Sequence, residues 1–346
     1  MKRTSLLKYL GGRLVLMLVS LFVLGTVTFF LVTLAPADPA RAVAGPYATQ
    51  DQVDEVSKRL GIDQPLFQRL IDYWNDIFHG SLGNSLFGGA SVGDSIIKYL
   101  PSTLELVVFS LVVALVFGLT LGVVSAYFHG RWQDRFSSGL VGVLQSIPDF
   151  VMAVVIIYVF AYLLKASPGP EGQLSIATAP PPRVTGMVFV DALIDGNSAT
   201  IADAWHHLVL PVLTLGLVLG AVFARISRAA LRDAFESEQT KFARACGLSE
   251  LRVIRYALLS SRTPIMTYGA IIFAAGFGGT AIVETVYNWN GVSQWAVNAM
   301  QRNDYPSVQG FVLIAGAITL VIYMVLDVAT NLLDPRMQAL GAKGPR

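Results

Sequence analysis

KFARACGLSELRVIRYALLSSRTPIM, residues 241–266, is a basic, turn-interrupted, amphipathic stretch that leads out of one long apolar run and into another. Those neighbours decide the fold. Upstream, Leu208–Ala224 contains no Asp, Glu, Lys or Arg, and neither does Pro264–Val283 downstream. The same holds for Leu14–Leu34, Leu106–Phe128 and Val308–Leu326, while Phe136–Leu164 is broken only by Asp149. A membrane-crossing helix needs about 17–25 mostly apolar residues, and each of these runs meets that. Composition agrees: 54% of the 346 residues are hydrophobic and 14% charged, against about 25% charged in soluble domains. The expected fold class is all-α integral membrane, with six transmembrane helices and a long external segment between spans 1 and 2.

Six spans put both termini on one side. On that side fall four basic residues before the first span, Arg131 and Arg135, eight in residues 225–262, and Arg336, Lys343 and Arg346. That makes 17, against 8 on the other side. Basic residues in short loops mark the cytoplasmic face, so both ends are expected in the cytoplasm. The single cysteine, Cys246, excludes an internal disulfide and a cysteine-rich metal site. The first apolar run, at 21 residues, exceeds the usual signal-peptide core of about 7–15. It is read as a retained span despite the cleavage-like Ala35-Pro36-Ala37.

Within residues 35–103, Val53, Val56 and Leu60, then Leu66, Leu70, Trp74 and Ile77, recur at helical spacing and are punctuated by Gly61 and Pro65. Two readings stand for this element: a lid packed on the spans, or a docking surface for an external protein. SPGPEG and APPPR after the third span predict irregular backbone, and NWNG at 288–291 predicts a tight turn. Gly118 and Gly122, Gly216 and Gly220, and the cluster Gly276, Gly278 and Gly279 predict close helix packing.

No GxxxxGK[ST] phosphate loop occurs, and His206 and His207 are adjacent rather than at metal-ligand helical spacing. No catalytic residue and no metal site is expected, and nothing suggests nucleic acid. Ionisable residues in the apolar runs are the candidates for a substrate path, because a carboxylate at the centre of a membrane helix costs about 2.5–3.5 kcal/mol. They are Asp149, with Ser146 and Pro148 beside it, and Glu284 at the outer end of the fifth span. A carboxylate capping the helix restart after Pro148 is the plainer reading of Asp149. Asp327, near the inner end of the sixth span, is a further ionisable candidate, and for both Glu284 and Asp327 the plainer reading is interfacial or structural.

The opening stretch itself reads as two short helices. Arg225, Arg228 and Arg232 form a basic stripe at the end of the fourth span, and Glu236–Thr240 a polar turn. The next helix stops at Gly247, a residue suited to a left-handed cap. Ser249 then caps a second helix with Glu250 at its positive end, and Leu251, Ile254 and Leu258 share one face. A rigid knob results. A basic amphipathic element lying on anionic lipid is the alternative.

Ala243-Arg244-Ala245-Cys246-Gly247-Leu248, between two spans, resembles the EAA loop of ABC importer permeases, in the version of the oligopeptide and dipeptide permeases. LAPADPA, GIDQPLFQRL, GSLGNSLFGG, LPSTLEL, SIPDF, HLVLPVLTLGL, VETVYNWNGV, NDYPSVQG and LLDPR follow in that family's order across nearly the whole chain. There are departures. Lys241 stands where the loop usually begins with Glu, Ala257–Ser260 lacks the distal proline, and NWNG replaces a Pro-Gly turn.

The resemblance implies a coupling helix at Ala243, Arg244, Ala245, Gly247 and Leu248 that fits a groove on a cytosolic ATPase subunit. It implies one of two similar permeases, two ATPase subunits carrying ATP and Mg, an external substrate-binding protein and a peptide substrate, in the bacterial inner membrane. No cofactor is expected on this chain, whose surroundings are membrane lipid. The implied organisation is an N-terminus at 1–13, span 1 at 14–34, the external segment at 35–103, a core at 104–334 with the coupling loop at 225–263, and a tail at 335–346. A permease of the same architecture for a nickel chelate, glutathione or a sugar is the near alternative. An ion-coupled secondary transporter is the alternative of a different class, and a structural scaffold the third.

Overall fold

The computed structural model describes residues 3–34 and 38–333. The expected tail 335–346 and the Ala35–Ala37 tripeptide lie outside them. The regular elements of the described chain are helices, in the order α1 (Arg3–Thr33), α2 (Pro39–Ala44), α3 (Gln50–Arg59), α4 (Leu66–Phe78), α5 (Val92–Tyr127), α6 (Trp132–Ser146), α7 (Asp149–Ile156), α8 (Val188–Asp195), α9 (Ser198–Glu236), α10 (Glu238–Ala245), α11 (Glu250–Ser260), α12 (Arg262–Tyr287), α13 (Val292–Gln301) and α14 (Tyr305–Leu333). A π-helical segment, Ile157–Leu163, prolongs α7.

Five of these helices are long and apolar enough to cross a membrane: α1, α5, α9, α12 and α14. The sixth expected span falls on α6 and α7, which meet the same criterion only as a pair and are bent by 104° between Ser146 and Asp149, the geometry of a broken span or a re-entrant loop. Pro148 supplies the reason, since it lacks a backbone N–H and forces its predecessor out of helical geometry; Ile147 has φ −91° and ψ 122°. Residues 164–187 contain no helix, as the proline- and glycine-rich sequence predicts.

The chain divides into two compact units. One comprises the chain up to Ser102 and Asn290–Leu320. In it α4 lies on α1. Trp74 stacks on Phe22 with ring centroids 4.6 Å apart and donates from Nε1 to Thr26 Oγ1 at 3.2 Å, while Tyr73 meets Phe29 at 5.5 Å. The amphipathic segment is thus packed on a span, as the lid reading requires. Thr49 opens α3 with a capping box to Gln52, and Gly61, at φ +65°, separates α3 from α4. Asp304 ties a distant loop down, accepting from Ser85 Oγ at 2.5 Å, Leu86 N at 3.0 Å and Ser307 Oγ at 2.8 Å.

The other unit comprises Thr103–Trp289 and the chain from Val321. Its core gathers Leu106, Leu208, Leu215, Val283, Tyr287 and Trp289, all nearly inaccessible. Small residues let α5 and α9 touch. A Cβ on Gly118 would sit 2.6 Å from the Gly220 carbonyl oxygen, and one on Gly122 2.6 Å from Ser227 Cβ. The two GxxxG pairs therefore face each other within this chain, and backbone contact of this kind replaces the hydrophobic drive that lipid removes. Gly276 meets Leu219, but Gly278 and Gly279 face open space and take no part in packing. The NWNG turn has Asn288 and Asn290 in left-handed conformation, with Trp289 buried between them and its carbonyl held by Gln173 Nε2 at 2.7 Å.

Candidate functional site

The insert after α9 is built as a corner. Ser237 alone breaks the helix; its hydroxyl donates to Ala234 O at 2.7 Å and accepts from Thr240 N at 3.4 Å. The expected polar turn Glu236–Thr240 is thus mostly helix. At the far end of α10, Gly247 takes φ +77°. Gly247 N donates to Arg244 O at 2.9 Å and Leu248 N to Ala243 O at 3.2 Å, closing the last turn as glycine-terminated helices do. Ser249 occupies the cap position of α11 with extended backbone, but its hydroxyl makes no capping bond. Arg244 spans the corner to Glu250 at 3.4 Å and lies over the Phe235 ring.

Packing decides which face is buried. Val253 and Ala257, both inaccessible, pack with Leu231, Ala234, Phe235 and Ala126, while Ile254 and Leu258 are only partly covered. Leu251, expected beside them, is 79% exposed. With Phe242 at 71% and Leu248 at 37% exposed, it forms an apolar outer face on the corner. Ala243 is half-buried, and Arg244, Ala245 and Gly247 are exposed. Lys241 pairs with Glu238 at 2.7 Å, which holds its ammonium above the usual lysine range; fully exposed pairs of this kind add little stability.

Two of the three arginines of the basic stripe are paired, while Arg225 is exposed. Arg232 is paired to Glu236 at 2.9 Å. Arg228 reaches Asp134 on α6 from Nε at 3.0 Å and Nη2 at 3.1 Å. Asp134 is nearly buried and saturated, meeting Ser125 Oγ, Ser138 Oγ at 3.2 Å, His129 Nδ1 at 3.0 Å and Gly130 N at 3.0 Å as well. A buried charge is tolerable only with such a full set of partners.

The candidate path residues separate. Ser146 is exposed and donates to Gly142 O at 2.8 Å; Pro148, also exposed, is the cap position of α7. Asp149 is half-buried in the first turn of α7, where the helix dipole favours a carboxylate. It also lines a cavity of about 490 Å³ together with Arg225, Gln145 and Val222. Glu284 is different: it is fully enclosed and accepts from Thr103 Oγ1 at 2.6 Å.

Beside Asp134, two further carboxylates of this unit escape the sequence reading. Glu105, one residue before an apolar run, is buried, and its Oε1 accepts from Phe189 N at 2.8 Å and Val190 N at 3.1 Å at the start of α8. Asp191 in that helix accepts from Thr185 N at 2.7 Å, Gly186 N at 2.9 Å and Val184 N at 3.2 Å. Burial pushes the Asp191 carboxyl upward, but those donors and the Thr185 hydroxyl outweigh it and hold the group below the usual aspartate range. Among the described residues no three His, Cys, Asp or Glu side chains gather as metal ligands would.

Comparison with known proteins gives this architecture its relatives. Residues 118–339 match the family described as binding-protein-dependent transport system inner membrane component, and residues 6–107 match the N-terminal component of such membrane proteins. The chain is 34% identical over 312 residues to a probable D,D-dipeptide transport system permease protein of Escherichia coli strain K12, covering 90% of this chain and 92% of that one. It is 31% identical over 337 residues to a di/tripeptide transport system permease protein of Pseudomonas aeruginosa strain UCBPP-PA14, covering 96% and 99%. Over 334 residues it is 31% identical to a glutathione transport system permease protein of Escherichia coli strain K12, again covering 96% and 99%. A match of this extent carries both the fold and the non-enzymatic transport role. The chain belongs to the binding-protein-dependent transport system inner membrane components, as a permease subunit of an ABC importer of the peptide-transport family.

Proposed function

We propose that this chain forms one half of the translocation path of an ATP-driven importer of short peptides. A second, similar permease supplies the other half. Two ATPase subunits carry ATP and Mg, and an external binding protein delivers the peptide. Both termini lie in the cytoplasm, the segment 35–103 is external, and the α10–α11 corner docks in a groove on an ATPase. One observation carries the coupling assignment: the corner is anchored underneath by Val253 and Ala257 against α9, yet leaves Phe242, Leu248 and Leu251 uncovered. Exposed apolar surface on a rigid element marks a protein contact. The relatives named for dipeptides and di/tripeptides support the cargo, and the one named for glutathione, itself a short peptide, supports a second reading of the cargo alone.

In this mechanism, ATP-driven closure of the ATPases moves the corner, and the corner moves α9, whose last two turns it grips. Asp149, with Ser146 and Pro148, lies beside the bend between α6 and α7 and borders the path; Glu284 stiffens the wall from within. The test places Asp at both Phe242 and Leu251. Expected is a normally inserted permease that no longer co-purifies with the ATPase subunits and no longer supports uptake. Full retention of both overturns the coupling assignment. Uptake that survives ATP depletion and follows a proton or sodium gradient overturns the importer reading.

A further inference from the structure

We infer that a cavity between the first turns of α5 and one face of α13 holds the two charged ends of a short peptide, with Asp94 receiving the α-ammonium and Arg302 the α-carboxylate. This deepens the peptide-import reading and rests on it. The cavity measures about 570 Å³, inside the range of roughly 300–1,000 Å³ typical of small-ligand sites. Asp94 and Lys98 lie one turn apart on α5, Trp295 and Asn298 one turn apart on α13, and Arg302 directly follows the end of α13; all five line one space.

The lining carries two acidic and two basic side chains, Asp94 and Asp304 with Lys98 and Arg302, and of the two carboxylates Asp304 is already engaged by Ser85, Leu86 and Ser307. Among the described residues neither the Asp94 carboxylate nor the Arg302 guanidinium has a side-chain partner. Their charges are opposite, one from α5 and one from the end of α13. An aromatic pair lines the same cavity: the Tyr99 and Trp295 rings stack at 6.3 Å with 23° between planes. The Lys98 ammonium lies 5.1 Å from the Tyr99 ring centroid, on the cationic side of the balance. Asn298 offers an amide donor and an amide acceptor, the pair that a peptide bond requires.

At no more than about 3.3–3.6 Å per extended residue, a dipeptide spans about 7 Å and a tripeptide about 10 Å. Ends and main chain are common to every short peptide, whereas side chains differ. A site that grips the ends by charge and leaves the rest to aromatic faces accepts many sequences and rejects blocked termini.

The test uses membranes carrying the assembled importer and three photoreactive dipeptides containing benzoylphenylalanine: one with free ends, one N-acetylated and one C-amidated. In the wild type the free peptide is expected to label residues 295–302, well above the two blocked probes. Asp94→Asn is expected to lower labelling by the free peptide about tenfold, to the level of the N-acetyl probe, and Arg302→Gln to lower it to the level of the amide, as loss of one charge-assisted bond implies. Arg302→Lys should restore part of the difference.

The subsite is overturned if labels fall elsewhere, if both variants lower all three probes alike, or if neither changes the preference for free ends. It is also overturned if a cysteine placed at Asn298 is shielded by the binding protein but not by peptide, which makes the cavity a docking surface. Uptake of the free dipeptide by the same cells is measured in parallel. If the wild type takes up none, the peptide-import reading itself fails, an outcome distinct from active uptake with an unlabelled cavity.

Discussion

Arg228 on α9 grips Asp134 on α6 through two parallel bonds, one from Nε and one from Nη2, to a carboxylate whose side chain is 6% exposed. Removing Arg228 leaves a nearly buried carboxylate without its arginine countercharge, and removing the Asp134 charge leaves a half-buried guanidinium without its carboxylate. Asp134→Asn and Arg228→Met are each expected to destabilise the folded permease by about 3 kcal/mol. The pair Asp134→Leu with Arg228→Met is expected to recover much of that, because both charges then leave together. Thermal unfolding of the four proteins in one detergent checks this, and strictly additive losses would contradict it.

Gly118 and Gly278 make opposite predictions. A side chain at Gly118 meets the Gly220 carbonyl, which belongs to a helix backbone and has no freedom to withdraw, whereas one at Gly278 enters open space. Gly118→Leu is expected to cost about 1–3 kcal/mol or more and to lower the folded yield. Gly278→Ala is expected to leave yield and melting unchanged.

Gly247 isolates backbone conformation from bulk. Its φ of +77° is strained for most side chains, yet nothing lies within 4 Å of a Cβ built there. Gly247→Asn, which tolerates the left-handed region, should keep ATPase co-purification near normal. Gly247→Val, strained by about 1–2 kcal/mol, should reduce it while leaving insertion intact. Equal behaviour of the two would remove the corner from the coupling mechanism.

Cys246, exposed next to that corner and the only cysteine of the chain, reports orientation without engineering. A membrane-impermeant maleimide is expected to leave it unmodified in intact cells and to label it in inverted vesicles. Labelling in intact cells would reverse the topology.

The sign for Asp191 follows from its depressed folded value. Its hydrogen bonds favour the charged form, so their contribution is complete well above pH 4, the region of an unfolded aspartate, and is lost as pH falls through the folded value. Asp191→Asn should therefore lower the melting temperature at pH 7, and the gap to wild type should narrow below about pH 4. A gap that widens on acidification would refute the assignment.

Sequence carried much of this because the deciding terms are local. Apolar runs located the spans, Gly247 located the corner, and the proline- and glycine-rich stretch after the third span located irregular backbone. What it hid depends on partners far along the chain. Asp134 and Arg228 are 94 positions apart, and Glu105 and Phe189 are 84 apart; in sequence Asp134, Arg228 and Glu105 are merely charged residues near the ends of apolar runs, and Phe189 takes part only through its backbone N–H. Spacing puts Leu251 on one face with Ile254 and Leu258 but does not say which face is buried; Val253 and Ala257 take the buried positions, and Leu251 stays exposed. Pro148 was visible, but the 104° between its two helices depends on what each half packs against.

The helix α9 runs unbroken for 39 residues, about 58 Å at 1.5 Å per residue, nearly twice a hydrocarbon layer of about 30 Å. Such a rod is a lever. Pivoted at its middle, a rotation of about 5° displaces each end by about 2.5 Å, half of one helical turn. Because Val253 and Ala257 clasp its last turns, a push on the corner is applied to this lever directly, and Pro211, which removes one backbone bond from the helix interior, marks where the lever can flex.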